Sequence, residues 1–179
     1  MSAIAPNGLF TFSPKNQGKL SALHPSITQV SEMKLVGFGL KINQVKFEVG
    51  KVWQSFMPKR KDILHRVSED LISLSRYPKG YFEAFEPSKE FEKWAAVEVS
   101  EWKNVPDGLE TLVIPAGKYA VFSYRGLSSD PSIFQEIFGA WLPQSGYELD
   151  DRPHFEVLGE KYRNNDPNSE EEIWIPIKG

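Results

Sequence analysis

The sequence predicts an α+β fold made of a duplicated strand–helix–strand–strand module. The chain has 179 residues, of which 40% are hydrophobic and 25% charged, as expected for one domain with a substantial core. A shift of 85 residues places residues 53–58 (WQSFMP) on residues 138–143 (FGAWLP), so that two aromatic rings and a proline coincide. The same shift places residues 33–36 on residues 118–121. The order of predicted strands and helices is also the same in both halves.

The repeat defines the expected domain organisation. Residues 1–31 are rich in Pro, Ser, Asn and Gly and lack a hydrophobic period, so we interpret them as an N-terminal extension. Residues 32–179 form the predicted domain, with repeat halves at about 32–100 and 109–178.

One helix is predicted in each half. Residues 47–57 carry apolar side chains at positions i, i+3, i+4 and i+7, and residues 131–142 carry a similar stripe. Pro58 and Pro143 are expected to end these helices. Each helix covers only part of its sheet face. Two modules that share one sheet would therefore leave a cleft between the helices, where ligands commonly bind.

Strands account for most of the rest of each half. The predicted strands are 33–42, 71–77, 81–85 and 94–99 in the first half, and 109–114, 118–124, 155–159 and 172–178 in the second. Turn residues at 78–80 and 115–117 predict that the strands on either side of each form hairpins.

Charge and composition exclude several classes of function. The net charge is −3 and there is no cysteine, so we expect no direct nucleic-acid binding, no disulfide and no thiolate chemistry. The three histidines have no metal-ligand spacing and are expected at the surface or at hinges. No signal peptide or membrane span is evident. We therefore expect a cytoplasmic monomer or dimer with no cofactor and no metal.

The last predicted strand contains the most informative candidate site. In EEIWIPI (171–177), Ile173, Ile175 and Ile177 alternate with Glu172 and Trp174, so the carboxylate and the indole share one face. A carboxylate beside an aromatic ring suits capture of a cation. The alternative is that Glu172 only ends a solvated acidic loop.

Aromatic residues make up 13% of the chain and could line a pocket for a flat apolar ligand. Besides Glu172 and Trp174, the candidate ligand-binding residues are Trp53, Phe56, Tyr124, Trp141, Tyr147 and Phe155. Each of these could equally be an ordinary core residue.

Several segments resemble the GyrI-like small-molecule-binding family, which includes effector-binding domains of AraC-type and MerR-type multidrug regulators. The segments are IPAGKYAVFSYRG (114–126), IFGAWLPQSGYELDDRPHFEV (137–157), EEIWIPIK (171–178), WQSFMPKR (53–60) and WAAVEV (94–99). The resemblance implies an antiparallel sheet with two helices flanking a ligand cleft. It also implies a buried acid near the start of the last strand, which maps onto Glu172, with Trp174 facing the ligand.

The resemblance leaves three functions open. The first is a stand-alone binding protein for small amphipathic or aromatic compounds, including cationic and toxic ones. The second is a hydrolase of strained cyclopropanoid toxins, with Glu172 as the catalytic residue. The third is a protein-interaction module such as a gyrase inhibitor. Residues 1–31 are too short and too rich in Pro and Gly for the helix-turn-helix pair of an AraC-type regulator.

Overall fold

A computed structural model describes residues 23–179, so most of the predicted extension, residues 1–22, lies outside the described residues. The strands are β1 Ser26–Val30, β2 Met33–Ile42, β3 Leu71–Arg76, β4 Phe91–Val99, β5 Glu110–Ile114, β6 Gly117–Arg125, β7 Glu148–Leu149, β8 His154–Leu158 and β9 Glu170–Lys178. Helix α1 is Val49–Phe56, and a 3₁₀ turn follows at Arg60–Asp62. The second helical segment (residues 132–145) comprises α2 Ser132–Glu136, a π-helical turn Ile137–Trp141 and α3 Leu142–Ser145. No helix in residues 23–179 is long and apolar enough to span a membrane.

The sheet is antiparallel throughout, and its strand order is β1-β6-β9-β8-β3-β4-β2-β5, with the short β7 beside β9. The first module is β2-α1-β3-β4, with β4 between β2 and β3. The second is β6, the helical segment, β8 and β9, with β9 between β6 and β8. The two modules join where β3 pairs with β8. The predicted α+β fold with a duplicated module is confirmed.

Both predicted hairpins are wrong. Strands β5 and β6 follow one another closely but pair with different partners: β5 pairs with β2, and β6 pairs with β1 and β9. Residues 81–84 form turns, and none of residues 81–85 belongs to a strand. They have no edge to join, because β4 and β8 already occupy both sides of β3.

Both helices lie on one face of the sheet, as predicted. Directly opposed residues in antiparallel strands share a face. Leu158 packs in the core beneath α1, while Glu156, two residues earlier, lies opposite Ile173 in the core beneath the second helical segment. A third core covers the opposite face and includes Leu74, Trp94 and Phe155.

Pro143 does not end the second helical segment, which continues to Ser145. A proline within a helix cannot donate a backbone hydrogen bond to the preceding turn. The π-helical turn Ile137–Trp141 directly precedes α3, so Pro143 lies where the hydrogen bonding of the helix is already irregular. The helix tolerates the missing hydrogen-bond donor at this point. The segment ends at Gly146, whose φ of 78° is the left-handed conformation common after helices.

The 85-residue shift holds for the helices but not for the first strands. It superposes the buried positions 49, 52, 53 and 56 of α1 on 134, 137, 138 and 141, of which the first three are buried and the last half-buried. In the strands it pairs Val36, beneath α1, with Val121, on the opposite face. A slip of one residue reverses every side chain in a strand, so the structural repeat there needs an even shift. Val121 is accordingly half-buried.

Replacement of glycine by alanine is expected to have opposite effects on stability at two positions. A Cβ on Gly37 in β2 would lie 2.6 Å from the Cβ of Ala96 on the neighbouring strand, whereas a Cβ on Gly50 in α1 would meet nothing within 4 Å. We expect Gly37→Ala to lower the free energy of unfolding by about 1–3 kcal/mol. Gly50→Ala should raise it by about 0.5–1 kcal/mol through helix propensity. Urea unfolding of both variants measures the two free energies of unfolding. Equal changes would mean that β2 and β4 do not approach each other as closely at Gly37 as the structure shows.

Candidate functional site

A polar stripe crosses the helix-facing side of the sheet, between the two helices. Strand register sets Ser73 opposite Glu156, and it sets Ser75 opposite both His154 and Lys93. These residues alternate with apolar side chains that enter the opposite core, as β-strand geometry requires. The stripe therefore forms the floor of a cleft on the β3–β8 junction, where the two modules meet.

Three charged side chains are buried in and beside this floor. The exposed fractions are 2% for Lys93, 7% for Glu156 and 7% for Glu171. The Lys93 ammonium donates a hydrogen bond of 3.2 Å to Ser75 Oγ. The Ser128 hydroxyl donates one of 3.3 Å to Glu171 Oε2. Buried charges are rarely retained without partners, so these three groups form the electrostatic centre of the described structure.

Burial and mutual charge shift the pKa values of all three groups. Burial lowers the pKa of Lys93, and the carboxylates Glu156 and Glu171 partly oppose that shift. Burial also raises the pKa of Glu156, while the Lys93 charge lowers it. The pKa of Glu171 rises to about 7, first through burial and then through repulsion by Glu156. Two carboxyl groups thus share the single ammonium group of Lys93. Near neutral pH the Glu171 carboxyl is partly protonated.

Aromatic side chains cover the mouth of the cleft. The Tyr77 ring lies 4.7 Å from Phe82, 5.0 Å from Phe91 and 5.0 Å from His154, measured between ring centroids. The His154 ring is also 6.1 Å from Phe138 of the second helical segment. Burial and the Lys93 charge lower the His154 pKa to about 3, so its imidazole is neutral at physiological pH. His154 therefore belongs to the cleft, and the expectation of a surface or hinge position is wrong for it.

Little free volume remains inside the cleft. The cavity bounded by Lys93, Phe138, His154 and Glu156 measures about 20 Å³, roughly the space of one water molecule. A wider depression of about 310 Å³ lies at the mouth, lined by Phe82, Asp150, Arg152 and His154 among others. A drug-sized ligand needs several hundred Å³. Such a ligand can enter the cleft only if side chains that now line it move.

The structure separates the residues that the sequence predicted as a ligand site. Glu172, Trp174 and Phe155 lie together on the face opposite the helices, where Phe155 and Trp174 stack at 5.2 Å. The Trp174 indole N–H donates a hydrogen bond of 3.0 Å to Glu172 Oε2. Glu172 is exposed, so the expectation that it is the buried acid is wrong. The three residues line a groove of about 400 Å³, and Phe155 and Trp174 also border the small cavity in the cleft. Their part in ligand binding stays a prediction.

The remaining predicted residues lie beneath or beside the helices. Trp53 and Phe56 are buried in the core under α1. Trp141 and Tyr147 stack with 6.4 Å between centroids at the edge of the core under the second helical segment. Tyr124 packs against the same core, and its hydroxyl donates a hydrogen bond to the Leu127 carbonyl oxygen. None of these five lines the polar cavity in the cleft.

Sequence reasoning missed Lys93, Glu156 and Glu171. A signal for Lys93 existed: β4 begins at Phe91, three residues before the predicted strand, so Lys93 alternates in line with buried Phe91 and Ala95. Glu156 occupies the same kind of position, in line with buried Leu158. Both side chains are buried because they lie on the helix-facing side of the sheet, which little solvent reaches.

Residues 26–177 match the family model described as the integron-associated effector binding protein. The chain belongs to this family. The match confirms the resemblance to the GyrI-like effector-binding domains. No group of three or more potential metal ligands is found within the described part of the chain.

Individual relatives agree with this assignment. The transcriptional regulator BrlR of Pseudomonas aeruginosa is 29% identical over 163 residues, which cover 89% of this chain and 57% of BrlR. The chain thus spans little more than half the length of that relative. The structure of SAV2435 bound to tetraphenylphosphonium has a TM-score of 0.66 at 17% identity, covering 88% of this chain and 95% of that one.

A second solved structure is the integron cassette protein from the mobile metagenome of Vibrio cholerae. Its TM-score is 0.61 at 15% identity, and the alignment covers 86% of this chain and 95% of that one. At sequence identities this low, the two comparisons show only that these proteins share the fold of this chain.

Proposed function

We propose that the cleft between α1 and the second helical segment binds small amphipathic aromatic cations. The observation that carries this proposal is the pair of carboxyls, Glu156 and Glu171, buried beneath aromatic rings with Lys93 beside them. The proposal is supported by the membership of this chain in a family of effector-binding proteins. It is also supported by the structural neighbour that binds tetraphenylphosphonium.

The charge balance favours a cation. Lys93 compensates one of the two carboxylates, and the second can ionise inside the cleft only at the cost of an unpaired buried charge. A bound cation supplies the missing partner, and the surrounding rings add cation–π attraction. Because the pKa of Glu171 is about 7, binding of the cation should release a proton near neutral pH.

Two adjacent glutamates allow a matched test. Glu171 is buried on the helix-facing side, electrostatically coupled to Glu156 and Lys93, and Glu172 lies on the opposite face. The change to Gln keeps the shape of either side chain while removing its charge. We expect Glu171→Gln to weaken tetraphenylphosphonium binding by about ten- to thirtyfold, the equivalent of roughly 1.4–2 kcal/mol. Glu172→Gln should leave the affinity nearly unchanged. Isothermal titration calorimetry at pH 8 measures both dissociation constants.

A neutral ligand provides the control. Triphenylphosphine oxide has similar rings without the positive charge, so neither substitution should change its binding by more than about twofold. If Glu172→Gln weakens cation binding and Glu171→Gln does not, the anchor is the residue that the sequence predicted, and the groove on the opposite face is the ligand site. The hydrolase and gyrase-inhibitor alternatives stay predictions.

A further inference from the structure

The N-terminal segment, defined as residues 1–22, has the chemistry of a ligand for the cleft. Its sequence contains Lys15 and Lys19 and no acidic residue. It also contains an apolar aromatic stretch, Leu9-Phe10-Thr11-Phe12. Aromatic rings beside positive charges are the features that a cleft with buried carboxyls and a ring-lined mouth should select.

The described chain begins close to the acidic end of the cleft. Leu23 packs against the core under the second helical segment, as does Tyr124. Tyr124 is paired in register with Glu171, which carries the buried carboxyl. The N-terminal segment therefore extends from a point one or two strands away from Glu171, and neighbouring strands are about 4.8 Å apart.

The segment is long enough to reach any part of the cleft. An extended chain spans about 3.3–3.6 Å per residue, so Lys19 lies at most about 14 Å from Leu23 and Phe12 at most about 40 Å. A tether this short also keeps its groups at a local concentration on the order of millimolar. Even a weak contact would then be well populated.

We propose that residues 1–22 dock in the cleft between α1 and the second helical segment and act as a built-in competitor for its ligand. The lysines supply positive charge to the Glu156 and Glu171 carboxyls, and the apolar aromatic stretch meets the rings at the mouth. The docking itself stands on the cleft alone, whereas its effect on ligand affinity rests on the proposed function.

A spin label on the 179-residue chain tests the docking directly. The chain has no cysteine, so Ser13→Cys creates one unique position for a nitroxide next to Phe12. We expect paramagnetic broadening of the amide signals of Phe138, His154 and Ile175. Charge reversal by Lys15→Glu with Lys19→Glu should abolish the broadening. Reversal of the exposed Lys61 and Lys103, which are not part of the cleft lining, is the matched control and should leave it unchanged.

The proposal would be overturned if the label did not broaden the amide signals of the cleft. It would also be overturned if the broadening were equal in the labelled chain and in both of its charge-reversal variants. Ligand affinity provides a separate measurement. If the segment occupies the cleft about nine-tenths of the time, Lys15→Glu with Lys19→Glu should tighten tetraphenylphosphonium binding by about tenfold. Failure of tetraphenylphosphonium to bind any of these chains would contradict the proposed function, while the broadening alone decides the docking.

Discussion

Replacement of Lys93 by Met should lower the free energy of unfolding by about 3–5 kcal/mol at pH 8, because it leaves two buried carboxyls without their cation. The Lys93 side chain is almost fully buried, and its charge lowers the pKa of both Glu156 and Glu171. Met fills a similar volume, so the loss reports mainly on charge. Urea unfolding at fixed pH is the measurement.

The pH dependence of this loss identifies its cause. Without Lys93 the carboxyl pKa values rise further above their unfolded values, so the folded state binds more protons than the unfolded state. Stability then falls as pH rises through the range from the unfolded pKa, 4.5, to the folded value, about 7 for Glu171 in the intact protein. The deficit of Lys93→Met should therefore be smaller at pH 5 than at pH 8.

Two further variants complete the experiment. Adding Glu156→Gln to Lys93→Met removes one of the uncompensated acids and should recover part of the loss. Lys41→Met, at an exposed position of β2, is the control for removal of a strand lysine and should cost less than about 0.5 kcal/mol. A loss in Lys93→Met below 1 kcal/mol that does not vary with pH would show that the three groups are not electrostatically coupled.

Truncation of Phe138 to Ala should also cost about 3–5 kcal/mol, the usual range for a buried phenylalanine. Phe138 lies in the π-helical turn, packs in the core with Ile137, Ile173 and Ile175, and borders the cleft. Because domains of this kind are stable by only about 5–15 kcal/mol, this change removes a large share of the total.

An exposed phenylalanine supplies the control for Phe138. Phe47, just before α1, is 37% exposed, so Phe47→Ala should cost less than half as much. Urea unfolding with an unchanged m-value would show that both variants lose stability without a change in the surface exposed on unfolding. A loss below 1 kcal/mol in Phe138→Ala would mean that the second helical segment does not pack on the sheet through this face.

Local pattern was sufficient for the buried faces of the helices, but not for the end of the second one. The spacing of Val49, Val52, Trp53 and Phe56 predicted the buried face of α1, because helix periodicity is set by the backbone alone. Alternation likewise predicted that Ile173, Ile175 and Ile177 share a buried face. The strand partners were not predictable in this way. The short link between β5 and β6 looks like a hairpin turn, yet the two strands pair with different modules.

The sequence by itself determined the α+β class, the duplicated module, the helix faces and the resemblance to effector-binding domains. Only the tertiary structure decided which acid is buried on the helix-facing side. Glu171 and Glu172 are neighbours, and a period of two places them on opposite faces without saying which face the helices cover. The pairing of β9 between β6 and β8 settles the orientation, with Glu171 beneath the second helical segment and Glu172 on the opposite side. The same pairing brings Lys93 and Glu156 together from different modules, because long-range strand register leaves no trace in local periodicity.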